Sequence, residues 1–318
     1  MGQTVPVPSG KPTFLDVPRC DDLGSLDADI AVFGVVGGPP YDMEGSKYPA
    51  GGATQSIREQ SMLYASLITH YDFDFGGPIF ANRDVSIVDC GDVAMTPGAF
   101  EENAAATEAV APAILDRGAV PFAIGGSHEI SIPIFHAFAD REPYYLVQID
   151  AHYDWRDEVN GVREGLSSVM RRASELPNVL GMAQIGLRGV GSARQEEADA
   201  ARAYGKSLII GAEEVHRVGI DNVLDRLPDH GRYYVTFDID GMDPVIAPAD
   251  GTAAFGGLGY YEAVHILRGV PQKGQIIGFD LPVVRPHLDV GNRTSLLAAR
   301  MMLSMIGWMA HTEQIGRA

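Results

Sequence analysis

Eight short apolar runs, separated by helical patterns, constrain the fold of this chain more than any other feature. The runs are DIAVFGV (29–35), VSIVDC (85–90), AVPFAIG (119–125), YYLVQID (144–150), MAQIGL (182–187), SLIIG (207–211), RYYVTFD (232–238) and QIIGFDL (275–281). Helical patterns cover 100–116, 130–139, 168–176, 195–204, 260–268 and 294–308. Runs that are apolar on both faces need cover on both faces, so the alternation predicts an α/β fold with a parallel sheet between helices. Sites in such sheets form at the carboxyl ends of strands. Residues 1–27, rich in Pro, Gly and Asp, read as an irregular N-terminal segment that wraps the surface. No repeat, low-complexity tract or linker divides the rest, so 1–318 reads as a single domain.

Charge narrows the partners. With 24 basic and 42 acidic residues the net charge is −18, which disfavours nucleic acid and anionic membrane. Two cysteines, Cys20 and Cys90, build neither a disulfide framework nor a Cys-based zinc site, and the expected setting is reduced and cytoplasmic. The start has no apolar core of the signal-peptide kind. The late stretch SLLAARMMLSMIGWMA (295–310) contains Arg300 and is too short to span a membrane; it reads as a buried helix or a subunit contact.

Three strand ends carry clustered polar residues. FAIGGSHEI brings His128 after a Gly-Gly turn, LVQIDAHYD brings Asp150, His152 and Asp154, and TFDIDGMDP brings Asp238 and Asp240. Residues two apart in a strand share a side, so each set converges. Four carboxylates and two imidazoles, with nothing basic inside the motifs, are costly unless cations neutralise them. Such a donor set suits two divalent ions of the Mn(II), Ni(II), Co(II) or Zn(II) kind, able to ionise a shared water. A lone strand-end His or Asp is usually a cap or a turn residue, as Asp243–Pro244 reads, but three clusters in this order are not explained as caps. A serine hydrolase built on Ser127 and His128 is disfavoured, because Glu129 and Ile130 follow where a nucleophile elbow needs glycine.

At these residues the chain resembles the ureohydrolase family of arginases and agmatinases. GGSHEI is similar to its Gly-Gly-x-His motif, DAHYD to Asp-Ala-His-x-Asp, and FDIDGMDP to Phe-Asp-x-Asp-x-x-Asp-Pro. GATQSIREQS (52–61), IVDCGDV (87–93), QIGLRG (184–189), GTAAFGGLGYYEA (251–263) and GFDLPVVRPHLD (278–289) extend the likeness over nearly the whole chain, with a lean to the agmatinase branch. The resemblance implies a three-layer α/β/α sandwich with a mainly parallel eight-stranded sheet. It implies two metal ions, Mn(II) first and Ni(II) as alternative. One would take His128, Asp150, Asp154 and Asp238; the other Asp150, His152, Asp238 and Asp240, with Asp150 and Asp238 bridging. A metal-bridging hydroxide would attack an amidino carbon and release urea and an amine, and Asp154 would pass a proton. Trimers or hexamers are implied as well.

The departures fall on the substrate groups. Where the family carries a guanidinium-binding Glu, this chain has Val283, and Arg285 replaces the following Asn. Glu164 and Asp157 are candidate substitutes for that acid. Glu164, before Gly165, stands where the family has its proton-shuttle His. Trp155 is a candidate stacking partner for a planar amidino group, with packing as the commoner role. Arg156, Arg163 and Arg285 are candidates for a substrate carboxylate, with surface ion pairs the commoner role. The expectation is an amidinohydrolase whose substrate is a guanidino or biguanide compound other than plain arginine. A metformin-type hydrolase subunit is one alternative. A non-catalytic subunit supporting a homologous second chain is another.

Overall fold

The computed structural model of the protein describes residues 2–38, 52–96, 98–251 and 253–317; Met1 of the N-terminal segment and Thr252 of the 251–263 stretch lie outside them. A two-residue strand, β1 (Thr4–Val5), precedes eight that match the apolar runs: β2 (Ile30–Val35), β3 (Ile87–Val93), β4 (Val120–Gly125), β5 (Tyr144–Ile149), β6 (Val179–Leu187), β7 (Ser207–Gly211), β8 (Gly231–Phe237) and β9 (Gly274–Leu281). They form one sheet in the order β1-β3-β2-β4-β9-β8-β5-β6-β7. β1 is antiparallel to β3 and the other pairs are parallel. The sheet thus has nine strands rather than the eight expected. Two residues are too few to show a periodicity, and β1 exists because the outer edge of β3 takes its backbone hydrogen bonds.

Nine helices occur among the described residues: α1 (Ala53–Ala65), α2 (Phe100–Leu115), α3 (Ser131–His136), α4 (Val169–Ser174), α5 (Gln195–Ala203), α6 (Ala212–Val218), α7 (Ile220–Leu224), α8 (Tyr260–Lys273) and α9 (Arg293–His311). Three of them, α1, α6 and α7, were not legible as helical patterns. The buried face of α1 carries Thr54, Arg58 and Ser61 beside Ile57, so no apolar stripe marks it. Arg58 is held there by Asp89 (2.8 Å) and Asp92 (2.6 Å) of β3. Helices α6 and α7 are too short for a periodic pattern.

Strand residues alternate between two apolar layers. Val147, Ile149, Val235 and Phe237 join one cluster with α1, α6, α7, α8 and α9. Leu146, Met182 and Tyr234 join the other with α2, α3, α4 and α5. The result is the expected three-layer sandwich. Helix α9 is buried all round from Ala298 to Ala310, which selects the buried-helix reading of that stretch. Its Arg300 is neutralised by Asp72 and Asp74, each at 2.7 Å. No helix among the described residues is long and apolar enough to cross a membrane.

Candidate metal centre

The three polar segments leave the sheet from β4, β5 and β8. Only β9 lies between β4 and β8, so the segments emerge side by side in the middle of the sheet. Their convergence comes from turns rather than from strand alternation, which corrects the sequence argument. β5 ends at Ile149, and Asp154 adopts φ +48, a left-handed backbone that swings its side chain back over the strand end. β8 ends at Phe237; Asp238 then caps a 3-10 turn at Ile239–Gly241 by accepting from the Asp240 amide (2.9 Å). A Cβ on Gly241 would lie 2.8 Å from the Asp150 nitrogen, so the close approach of the two turns requires glycine there.

Two histidine-centred groups result. His128 Nδ1 stands 3.2 Å from Asp150 Oδ2, 2.8 Å from Asp154 Oδ2 and 3.2 Å from Asp238 Oδ2. His152 Nδ1 stands 3.4 Å from Asp150 Oδ1 and 3.0 Å from Asp240 Oδ2. Asp150 therefore turns one oxygen to each group, as a bridging carboxylate would. Asp238 turns Oδ2 to the first group and Oδ1 to the Asp240 amide. His128 Nδ1 and Asp154 Oδ2 are close, yet neither makes a hydrogen bond of good geometry, although both are buried. Two such lone-pair atoms aimed at a common point are the arrangement a cation satisfies. The sets His128–Asp150–Asp154 and Asp150–His152–Asp240 each fit a metal ion.

In the metal-free protein, protons must balance this charge. Burial, the largest influence, lowers the affinity of both imidazoles for a proton, but the surrounding carboxylates outweigh it. His152 is raised to about 12 and His128 is raised as well. Burial and the neighbouring Asp150 push Asp154 up to about 7. Burial acts upward on Asp150 too, but its hydrogen bonds to His128 and His152 hold it below the usual carboxylate range.

A buried polar row supports the ligands from within the sheet. Gln148 donates to Asp150 Oδ2 (2.7 Å), Gln184 donates to Gln148 (2.7 Å), and Ser207 donates to Gln184 (3.0 Å). On the other side His128 Nε2 meets Thr236 Oγ1 (2.9 Å), which donates to Asp280 (2.6 Å). Gln184, Gln148, Thr236 and Asp280 are partners in register across β6, β5, β8 and β9, and all are fully buried. Arg188 binds the carbonyls of Asp240 (2.7 Å) and Met242 (2.8 Å) and so holds the third turn. Sequence reasoning missed these residues. Only Gln148 and Thr236 carried a signal, a polar residue two places before a strand-end acid; Gln184, Asp280 and Arg188 carried none.

The expected substrate residues scatter. Trp155 is 2% exposed and packs against Tyr204 (5.6 Å between rings), so its role is packing rather than stacking on a ligand. Val283 is buried in the apolar layer with φ +72, a strained backbone for a β-branched residue, and also serves packing. Arg285 is buried beneath residues 249–251: its amide donates to Ala249 (2.9 Å), and a Cβ on Gly251 would meet its side chain at 2.8 Å. Glu164 is exposed rather than partly buried, because it sits on the loop after the Gly161 turn. Arg156 pairs with Glu197, and Arg163 with Asp157 and Glu175. Ser127 is buried and donates to Glu129 rather than to His128, which leaves no serine–histidine pair.

Glu129 and Glu164 line one cavity of about 1200 Å³, which reaches the cluster's edge at Glu129 while none of the six ligand candidates lines it. Glu129 directly follows the ligand candidate His128. One of its oxygens accepts from Ser127; the other, Oε1, is buried and has no hydrogen-bond partner. Burial pushes this carboxyl up, while Ser127, His128 and Arg285 act the other way.

Residues 28–307 match the model of the arginase family. Guanidinobutyrase of Pseudomonas aeruginosa is 32% identical over 314 residues, covering 96% of this chain and 94% of the relative. Among solved structures, proclavaminate amidino hydrolase from Streptomyces clavuligerus superposes with TM-score 0.81 at 29% identity, covering 96% and 98% of the two chains. The agmatine ureohydrolase of Thermoplasma volcanium superposes with TM-score 0.75 at 26% identity, covering 92% and 93%. The chain belongs to the arginase family, on its agmatinase-like branch.

Proposed function

We propose that the protein is a dinuclear-metal amidinohydrolase that cleaves a guanidino compound to urea and an amine. The observation that carries this reading is Asp150, whose two oxygens face two separate histidine-centred groups. His128, Asp150, Asp154 and Asp238 would hold one ion; Asp150, His152, Asp238 and Asp240 the other. Mn(II) is the first choice for these nitrogen and oxygen donors and Ni(II) the alternative. Bound there, two such ions supply Lewis acidity and a water that ionises near neutral pH.

The chain's own groups do the rest. Asp154 lies beside His128, and besides holding an ion its carboxylate would accept a proton from the attacking water. Glu164, exposed on the cavity wall, would return a proton to the departing amine. In balance, the guanidinium R₂N–C(NH₂)₂⁺ and water give urea and R₂NH₂⁺: one C–N bond breaks, a C–O bond forms, and both of the water's protons leave on the amine. Val283 supplies no charge, so plain arginine is not the expected substrate. The relatives named above support the reaction class. A trimer or hexamer is the expected assembly, with a homologous second subunit as the alternative.

Purified protein loaded with Mn(II) or Ni(II) and given a panel of guanidino compounds and biguanides should release urea from at least one. Chelation should stop the release. Protein that carries its metals and yet releases no urea from any of them would favour the non-catalytic subunit.

A further inference from the structure

The cavity beside the cluster has a composition that selects among guanidino compounds. Val36, Val93, Met95, Phe100, Ile130 and Pro133 make its walls apolar. Its acids are Asp92, Glu101, Glu102, Glu129 and Glu164. Asp92 is committed to Arg58 (2.6 Å) and Thr54 (3.2 Å). Arg163 is the one basic residue in the wall among the described residues, and it already pairs with Asp157 and Glu175. Glu129 differs from all of these. Its Oε1 is a buried carboxylate oxygen without a donor, next in sequence to His128. A buried carboxyl oxygen of this kind is costly to leave unsatisfied, and a ligand N–H would satisfy it.

We propose that Glu129 is a specificity-determining residue: it receives a cationic N–H of the substrate, and the cavity takes a guanidinium or biguanide with small apolar substituents and no carboxylate. The inference rests on the amidinohydrolase reading and deepens it. It places the anionic partner at Glu129, on the segment after β4, where Val283 after β9 offers none. Apolar walls receive alkyl groups at a gain proportional to the buried area. A guanidino acid would bring its carboxylate among carboxylates, with no uncommitted cation among the described residues of the wall to meet it.

Calorimetry on the metal-loaded protein tests this, with N,N-dimethylguanidinium and 4-guanidinobutyrate as probes and urea release followed in parallel. The wild-type protein should bind dimethylguanidinium about tenfold or more tighter than guanidinobutyrate, and Glu129→Gln should weaken that binding by about tenfold while metal content is unchanged. Met95→Lys leaves Glu129 in place and puts an ammonium in the wall; it should shift preference toward guanidinobutyrate. Unchanged affinity in Glu129→Gln with its metals retained, tighter wild-type binding of guanidinobutyrate, or no shift in Met95→Lys would each overturn the proposal. The two readings fail separately. The expected binding pattern without urea retires the hydrolase and leaves the site, whereas urea from guanidinobutyrate without binding of dimethylguanidinium does the reverse.

Discussion

Asp150 carries more of the site than any other residue, because it alone presents an oxygen to both histidines. Asp150→Ala should therefore abolish binding of both ions, whereas Asp240→Ala should weaken the ion beside His152 first; metal analysis after dialysis distinguishes the two. The protons that stand in for metal give a second test. His152 is raised to about 12 and Asp154 to about 7 in the metal-free protein. A group raised on folding stabilises below its unfolded value and loses that contribution as pH rises through the folded one. For His152 the loss runs from 6.5 up to about 12, and for Asp154 from 3.8 up to about 7. Both slopes have the same sign. Metal-free protein should melt lower at about pH 9 than at about pH 6, while added Mn(II) should stabilise more at the higher pH, since it displaces those protons. A metal-free melting temperature that rises over this range would contradict the assignment.

At the scale of elements, the polar row inside the sheet sets the orientation of the ligands. Gln148→Leu removes the donor to Asp150 and leaves Gln184 with one acceptor fewer. Metal affinity should fall about 10–100-fold, as for other residues that orient metal ligands, read by competition with a chelator. Helix α9 provides a test away from the site. Arg300→Ala removes the cation from Asp72 and Asp74, which keep only neutral donors such as the Asp74 amide and the Tyr260 hydroxyl, and the protein should lose about 3 kcal/mol in chemical denaturation. The strands were readable because their apolar runs are buried on both faces, and the six ligand candidates because acids and imidazoles at three strand ends are unusual there. Gln148, Gln184, Thr236 and Asp280 were not readable, because a polar residue in a strand looks solvent-facing until the register puts it beside its neighbours. Helix α1 was missed because it buries an arginine rather than a stripe. The burial of Trp155 and Val283 was not readable, because sequence distance from a ligand does not say which way a turn aims the next side chain.

For the whole molecule, a metal held by this cluster would be a ligand of the native state alone. Mn(II) at about a hundred times its dissociation constant should add about 2.7 kcal/mol, or roughly 5 °C for a chain of this size; a scan with and without chelator measures it. The surplus of acid, −18 overall, is partly held in this cluster and its cavity, so metal loading relieves repulsion inside the fold as well as forming bonds.

The position of β9 has a further consequence. It runs between β4 and β8, at the centre of the site, yet donates none of the six ligand candidates, and its exit loop carries Val283 and Arg285 instead. The strands that bear the ligand candidates and the strand whose tip departs from the family pattern are therefore neighbours. The β9 loop can change in sequence without costing the cluster a ligand candidate, so divergence there need not pass through an intermediate that has lost its metals.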